Sequence, residues 1–169
     1  KGQLGDGKKG SSNNASTPVT MSGVSNAVAV YTGSEGTCVL LPNGVLKCLG
    51  QGSNNALGVR YTKDRNQVSG ISSATQVSTR KDHTCARLSD GKVSCWGRGA
   101  QYQLGTGLNK DNATADNVTG ITTATQVSAG GRHTCARLSN GTVQCWGSGY
   151  FGKLGNGQTS DNATPQGVI

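Results

Sequence analysis

Aromatic side chains are scarce in this 169-residue chain: one Phe, two Trp and four Tyr. With 27 glycines beside them, there is too little bulk for a helical core, and no stretch carries a helical apolar stripe of useful length. No apolar run approaches the roughly 18 residues that a membrane-spanning helix needs. Acidic residues are few, eight against sixteen Lys and Arg, and they are dispersed. They form no recurring Asp pattern of a calcium loop, and the glycine-rich segments lack the Lys-Ser/Thr of a phosphate loop. No nucleophile, base and orienting acid stand at a recognisable spacing. The expectation is a chain that is not an enzyme, with no catalytic residue, metal set, cofactor or membrane span. The formal charge of +8 is scattered rather than gathered in one run. Scattered charge favours solubility and at most a weak pull toward anionic surfaces, with no specific nucleic-acid partner.

What the chain does have is a segment written three times. HTCARLSNGTVQCWG at residues 133–147 returns as HTCARLSDGKVSCWG at 83–97 and, altered, as GTCVLLPNGVLKCLG at 36–50. Asn-Gly or Asp-Gly between apolar arms predicts a β-hairpin in each. Pro42 decides the loop length. In a two-residue loop it would lie in the ladder without an N–H. In a three-residue loop it suits the second place of a type I turn, with Gly44 at the left-handed bulge position.

That register sets Cys38 opposite Cys48, Cys85 opposite Cys95 and Cys135 opposite Cys145, each at a non-hydrogen-bonded site. Cα atoms there approach to about 4.5 Å, within reach of a disulfide. Three local bridges are expected, each stabilising its hairpin by about 3 kcal/mol at most. Buried free thiols remain an alternative. Metal is a third, although a lone pair supplies two ligands and a structural zinc needs four. Paired cysteines point to an oxidising compartment: secreted, cell-surface or periplasmic.

Repetition extends beyond the hairpins. Leu-Gly recurs at Leu4, Leu57, Leu104 and Leu154, and Gly before Val or Ile recurs at Gly23, Gly70, Gly120 and Gly167. The chain divides accordingly into the end of a preceding repeat (1–22), repeats at 23–69, 70–119 and 120–166, and the start of another at 167–169. It opens in mid-repeat, so it reads as a piece of a longer protein. Each unit offers three clear strands, and a fourth in or before a polar loop. Such small sheets bury their faces by packing radially, the solution of a β-propeller.

These residues resemble the repeat of the regulator of chromosome condensation family, whose pattern is G-x-x-H-T, A-L, x-G-x-V, W-G and Q-L-G. Here it reads GGRHTCARLSNGTVQCWG with KLG, RKDHTCARLSDGKVSCWG with QLG, and SEGTCVLLPNGVLKCLG with ALG. No Trp-Asp ends a strand and no Gly-Gly doublet recurs, against WD40 and kelch repeats. The resemblance implies an all-β, seven-bladed propeller of which about three blades are present. The first copy departs from it, with Gly36 for His and Leu49 for Trp. The Cys pairs look like a bacterial, extracytoplasmic version of the repeat.

His83 and His133 hold the same place in two repeats, which suits blade packing rather than catalysis. Trp96 and Trp146 end a hairpin strand in each and are expected to fill the space between blades. Variable loops at 6–20, 60–68, 106–118 and 156–166 are the surface suited to binding, with Tyr61, Tyr102, Tyr150 and Phe151 as candidate anchors. Asn14, Asn112, Asn117, Asn140 and Asn162 begin Asn-x-Ser/Thr triplets, read as a product of composition. The function expected is a non-catalytic extracytoplasmic interaction or adhesion scaffold with a secreted or surface protein partner. One alternative is nucleotide exchange on a small GTPase, as in the namesake. Another is glycan binding through exposed Trp96 and Trp146.

Overall fold

The computed structural model describes residues 2–6, 14–33, 36–50, 57 and 67–169. Its strands form three antiparallel sheets. The first contains β1 (Ala29–Thr32), β2 (Gly36–Leu40) and β3 (Leu46–Gly50). The second contains β4 (Ala74–Thr79), β5 (His83–Leu88), β6 (Val93–Gly97) and β7 (Asn112–Asn117). The third contains β8 (Ala124–Ala129), β9 (His133–Leu138), β10 (Val143–Gly147) and β11 (Asn162–Gly167).

The hairpin turns follow from their residues. In the second, the Leu88 N–H donates to the Lys92 carbonyl at 2.9 Å and the Gly91 N–H to the Leu88 carbonyl at 3.1 Å. This is the three-residue loop, with Gly91 at φ +80. The Asp90 carboxylate accepts the Lys92 N–H at 3.0 Å, and Asn43 and Asn140 do the same for Val45 and Thr142. Side chains that close their own turn explain why Asp and Asn stand there. The register then sets Cys85 opposite Cys95, with the same pairing in the other two hairpins. All three pairs are disulfides with Cα atoms 4.1 Å apart.

The fourth strand expected in or before each polar loop is β7 in the segment 106–118 and β11 in the segment 156–166, while the repeat boundary expected at Gly167 changes. Their sequences, NATADN and NATPQG, lack apolar alternation because each is the outermost strand, paired on one side only. Polar residues and Pro165 suit such an edge. Gly167 lies opposite Gln144 inside β11, as Asn117 lies opposite Ser94. Val168 N–H bonds the Val143 carbonyl as Val118 bonds Val93. By this register the third unit is still finishing at residue 169.

Successive sheets stack side by side as propeller blades. β4 packs on β1 and β2, and β8 packs on β4 and β5. The core is therefore a series of seams. One cluster gathers Cys38, Cys48, Val68, Ile71, Val77 and Trp96 from the first two sheets. The next gathers Cys85, Cys95, Leu104, Val118, Val127 and Trp146 from the second and third. The Cys38–Cys48 and Cys85–Cys95 disulfides thus belong to the apolar wall that meets the following blade.

Two glycines test this seam. A Cβ on Gly91 would meet the Thr122 carbonyl oxygen at 2.6 Å, whereas one on Gly141, in the same turn a blade later, meets nothing within 4 Å. Both have positive φ. Gly141→Ala should cost only the left-handed backbone penalty, about 1–2 kcal/mol. Gly91→Ala should cost more, because the turn must also move off the third blade. Urea midpoints of the two variants give the comparison, and equal midpoints would refute it.

Candidate functional site

Two places gather chemically distinctive side chains: the seam between the second and third blades, and the loops that leave β6 and β10. In the seam His83 and Trp146 have no exposed surface. His83 Nε2 lies 2.8 Å from Thr134 Oγ1. That hydroxyl donates to the Gln103 carbonyl at 2.9 Å, and the Trp146 Nε1–H donates to the same carbonyl at 3.0 Å. With the Thr134 hydrogen directed to Gln103, His83 Nε2 carries the hydrogen and donates to Thr134. Burial, and then the charge of His133, push the His83 pKa down to about 4, so the ring is neutral at physiological pH. His133 is half-buried, and its pKa is lowered by burial, then by Lys153 and Arg80.

The inner strand of the third blade is held by side chains of the second. Gln76 Oε1 accepts the Val127 N–H at 3.0 Å, and Ser78 Oγ accepts the Ala129 N–H at 2.9 Å. The Leu-Gly pair completes the seam. Leu104 is buried in it, and a Cβ on Gly105 would come within 2.6 Å of Trp146 Nε1. Trp96 is likewise fully buried. An indole without exposed surface has no face to stack on a sugar, so the repeated tryptophans are not a glycan site in this structure.

The second place is the outer rim. The loop after β10 runs through a short 3-10 turn, Tyr150–Gly152. It is pinned at its base where Asp161 accepts the Gly149 N–H at 3.0 Å, and Asp111 holds Gly99 in the same way at 2.9 Å. A Cβ on Gly149 would collide with the Ser160 carbonyl, and one on Gly99 with the Lys110 carbonyl. On this fixed base Phe151 is 84% exposed and Tyr150 62% exposed. Their ring centroids are 4.1 Å apart, and Lys153 Nζ lies 5.9 Å over the Tyr150 ring. Phe151 has φ +65, a left-handed conformation that a bulky residue rarely adopts. Tyr102, also at positive φ, is half-buried on the corresponding loop of the second blade. Tyr61 lies outside the described residues.

Sequence reasoning named Tyr150 and Phe151 as candidate anchors but missed Asp111 and Asp161. The signal was present as a repeated Asp-Asn-Ala-Thr at 111–114 and 161–164. It also missed Gln76, Ser78 and Gln103, whose partners lie on another sheet. Among the described residues no group of three or more His, Cys, Asp or Glu could hold a metal ion. None of their helices is long and apolar enough to cross a membrane.

Comparison with known proteins places this geometry. Prp20p of Saccharomyces cerevisiae, studied for its binding to Gsp1p and histones, superposes with a TM-score of 0.79 at 17% identity. The match covers 100% of this chain and 45% of Prp20p, so the chain spans less than half of that protein. Human WBSCR16 matches with a TM-score of 0.55 at 17% identity, over 99% of this chain and 60% of its own. The ectodomain of the Physcomitrella patens receptor kinase CR4 matches with a TM-score of 0.51 at 21% identity, over 80% of this chain and 35% of its own. No curated protein sequence matches. Two family profiles, both described as the Regulator of chromosome condensation (RCC1) repeat, match residues 75–103 and 124–153, and residues 90–137. With these matches lying on the strands and seams of a partial propeller, residues 75–153 of the chain carry regulator of chromosome condensation (RCC1) repeats.

Proposed function

We propose that the chain is a non-catalytic, extracytoplasmic scaffold that binds a secreted or surface protein through the rim loops that follow β6 and β10. The observation that carries this reading is Phe151, 84% exposed at φ +65 beside Tyr150, on a loop whose base is fixed by Asp161. An exposed aromatic pair held in a strained conformation on a rigid frame is a natural anchor for a partner. Three disulfides suit an oxidising compartment. They count against the exchange-factor reading, which needs a reducing one.

Antiparallel alternation puts the loop after β10 and the hairpin turn at Asn140 at opposite ends of the third blade. A photo-reactive residue at position 151 should therefore form discrete protein adducts in the producing cell's extracytoplasmic fraction. The same residue at position 140 should form few. Equal labelling from both ends, or none from position 151, would sink the reading.

A further inference from the structure

Asparagine followed by glycine occurs three times in the chain, at Asn43, Asn140 and Asn156. Such a pair carries a latent reaction, because the glycine nitrogen can close a small ring onto the side-chain amide carbon and no Cβ shields it. As the nitrogen attacks Cγ, negative charge collects on Oδ1, and the tetrahedral centre then expels Nδ2 as ammonia. Donors held against Oδ1 favour that step as they do in an oxyanion hole.

The three sites differ in what they offer Oδ1. Among the described residues, Asn43 Oδ1 accepts one hydrogen bond, from the Val45 N–H at 3.2 Å, and Asn156 Oδ1 accepts one, from the Gln158 N–H at 3.1 Å. Asn140 Oδ1 accepts two, from the Thr142 N–H at 3.1 Å and the Thr142 hydroxyl at 2.8 Å. Asn112 has the same pair of donors, the Thr114 N–H at 3.2 Å and hydroxyl at 3.0 Å. Ala113 follows it, however, and its methyl group hinders the attacking nitrogen. Only Asn140 among the described residues joins paired donors to a following glycine. Both Thr142 bonds lie within residues 140–142, so they do not depend on closure of the turn. That closure is what restrains the reaction. The Gly141 N–H is given to the Leu138 carbonyl at 3.0 Å, and local opening must free it before it can attack.

We infer that Asn140 is a self-modifying position, which loses its side-chain amide to the Gly141 nitrogen with Thr142 as the donor to Oδ1. Hydroxide removes the Gly141 amide proton, the bond from that nitrogen to Cγ forms, and the Cγ–Nδ2 bond breaks. Ammonia departs with a proton from water, which restores the hydroxide, and a succinimide spans the two residues. Water then opens either ring carbonyl, giving aspartate or isoaspartate. The second hairpin shows that the aspartate product fits, since Asp90 stands at this place and its carboxylate accepts the Lys92 N–H at 3.0 Å. Isoaspartate adds a methylene to the main chain. The two bonds that close the turn, Leu138 N–H to the Thr142 carbonyl at 2.8 Å and Gly141 N–H to the Leu138 carbonyl, then cannot both form. The hairpin keeps or loses its shape according to which ring bond water opens.

The test is peptide mapping by mass of the folded full chain, disulfides intact, held at pH 8 and sampled over weeks. Asn140 should convert to aspartate and isoaspartate several-fold faster than Asn43, Asn156 or Asn112. Thr142→Val should slow Asn140 by about fivefold, the factor that one hydrogen bond to a developing charge supplies in a solvated turn. Thr142→Ser, which keeps the hydroxyl, should keep the rate. In the reduced, urea-unfolded chain the three Asn-Gly sites should react alike. An Asn140 rate that Thr142→Val leaves unchanged or raises overturns the assignment. So does a folded chain in which Asn43 or Asn156 keeps pace with Asn140.

Discussion

Trp146→Ala should destabilise the chain by about 3–5 kcal/mol, the range for truncating a large buried aromatic. The indole has no exposed surface and belongs to a cluster drawn from two blades. Its loss leaves a cavity that neither rigid sheet can close. It also leaves the Gln103 carbonyl with one donor, Thr134, in place of two. Trp146→Leu, the residue that the first hairpin has at this place, should lose less than Trp146→Ala. Urea unfolding followed by circular dichroism separates the cases. A midpoint unmoved by alanine would mean that the seam contributes little and that each blade stands on its own hairpin and disulfide.

Stability should also fall by about 3 kcal/mol between pH 6.5 and pH 4, which is the linkage of a single histidine shifted by about 2.5 pH units. His83 takes up a proton at about pH 4 when folded, against its ordinary 6.5. Between those values the unfolded chain binds the proton and the folded chain does not, so acid favours unfolding. Above 6.5 neither state is protonated and the dependence vanishes. The structural reason is the seam itself. His83 Nδ1 is buried without a hydrogen-bond partner among the described residues, so protonation would add both a charge and an unsatisfied N–H. His133, shifted in the same direction, adds to the slope. Unfolding free energies at pH 7, 5.5 and 4.5 should show the decline, and His83→Gln should flatten it. Parallel profiles for variant and parent would remove His83 from the account.

The hairpins were legible because each level of the sequence agreed with the next. Asn-Gly or Asp-Gly marked the turn, Pro42 excluded the shorter loop, and equal Cys spacing followed from the resulting register. The outer strands were hard to see for a physical reason. A strand paired on one edge and exposed on much of its surface needs no alternation, so the sequence placed a fourth strand only in or before the polar loop, without singling out NATADN and NATPQG. Gly167 resembled the Gly that opens a repeat because both precede a branched apolar residue, yet it has a strand's register and no positive φ. The seam was less legible still. Gln76 and Ser78 look like ordinary outward polar residues of β4, and only the stacking of the next blade gives them partners. The rim aromatics could be located, but their separation into a half-buried Tyr102 and an exposed Tyr150 and Phe151 depends on tertiary packing.

All three disulfides close loops within a single hairpin, and none joins one blade to another. Under mechanical tension this arrangement gives little resistance at the seams, where the cross-blade connections are side-chain bonds, apolar contact and isolated backbone bonds such as Ala74 N–H to the Gly44 carbonyl and Ala124 N–H to the Gly91 carbonyl. It sets a firm limit inside each blade. A pulled chain should yield blade by blade, each releasing its strands and loops as extensible length while the segment between its bridged cysteines stays shortened. Reductant would lengthen every step by that hidden segment, about 3.3–3.6 Å per residue, while leaving the order in which the blades detach to the seams.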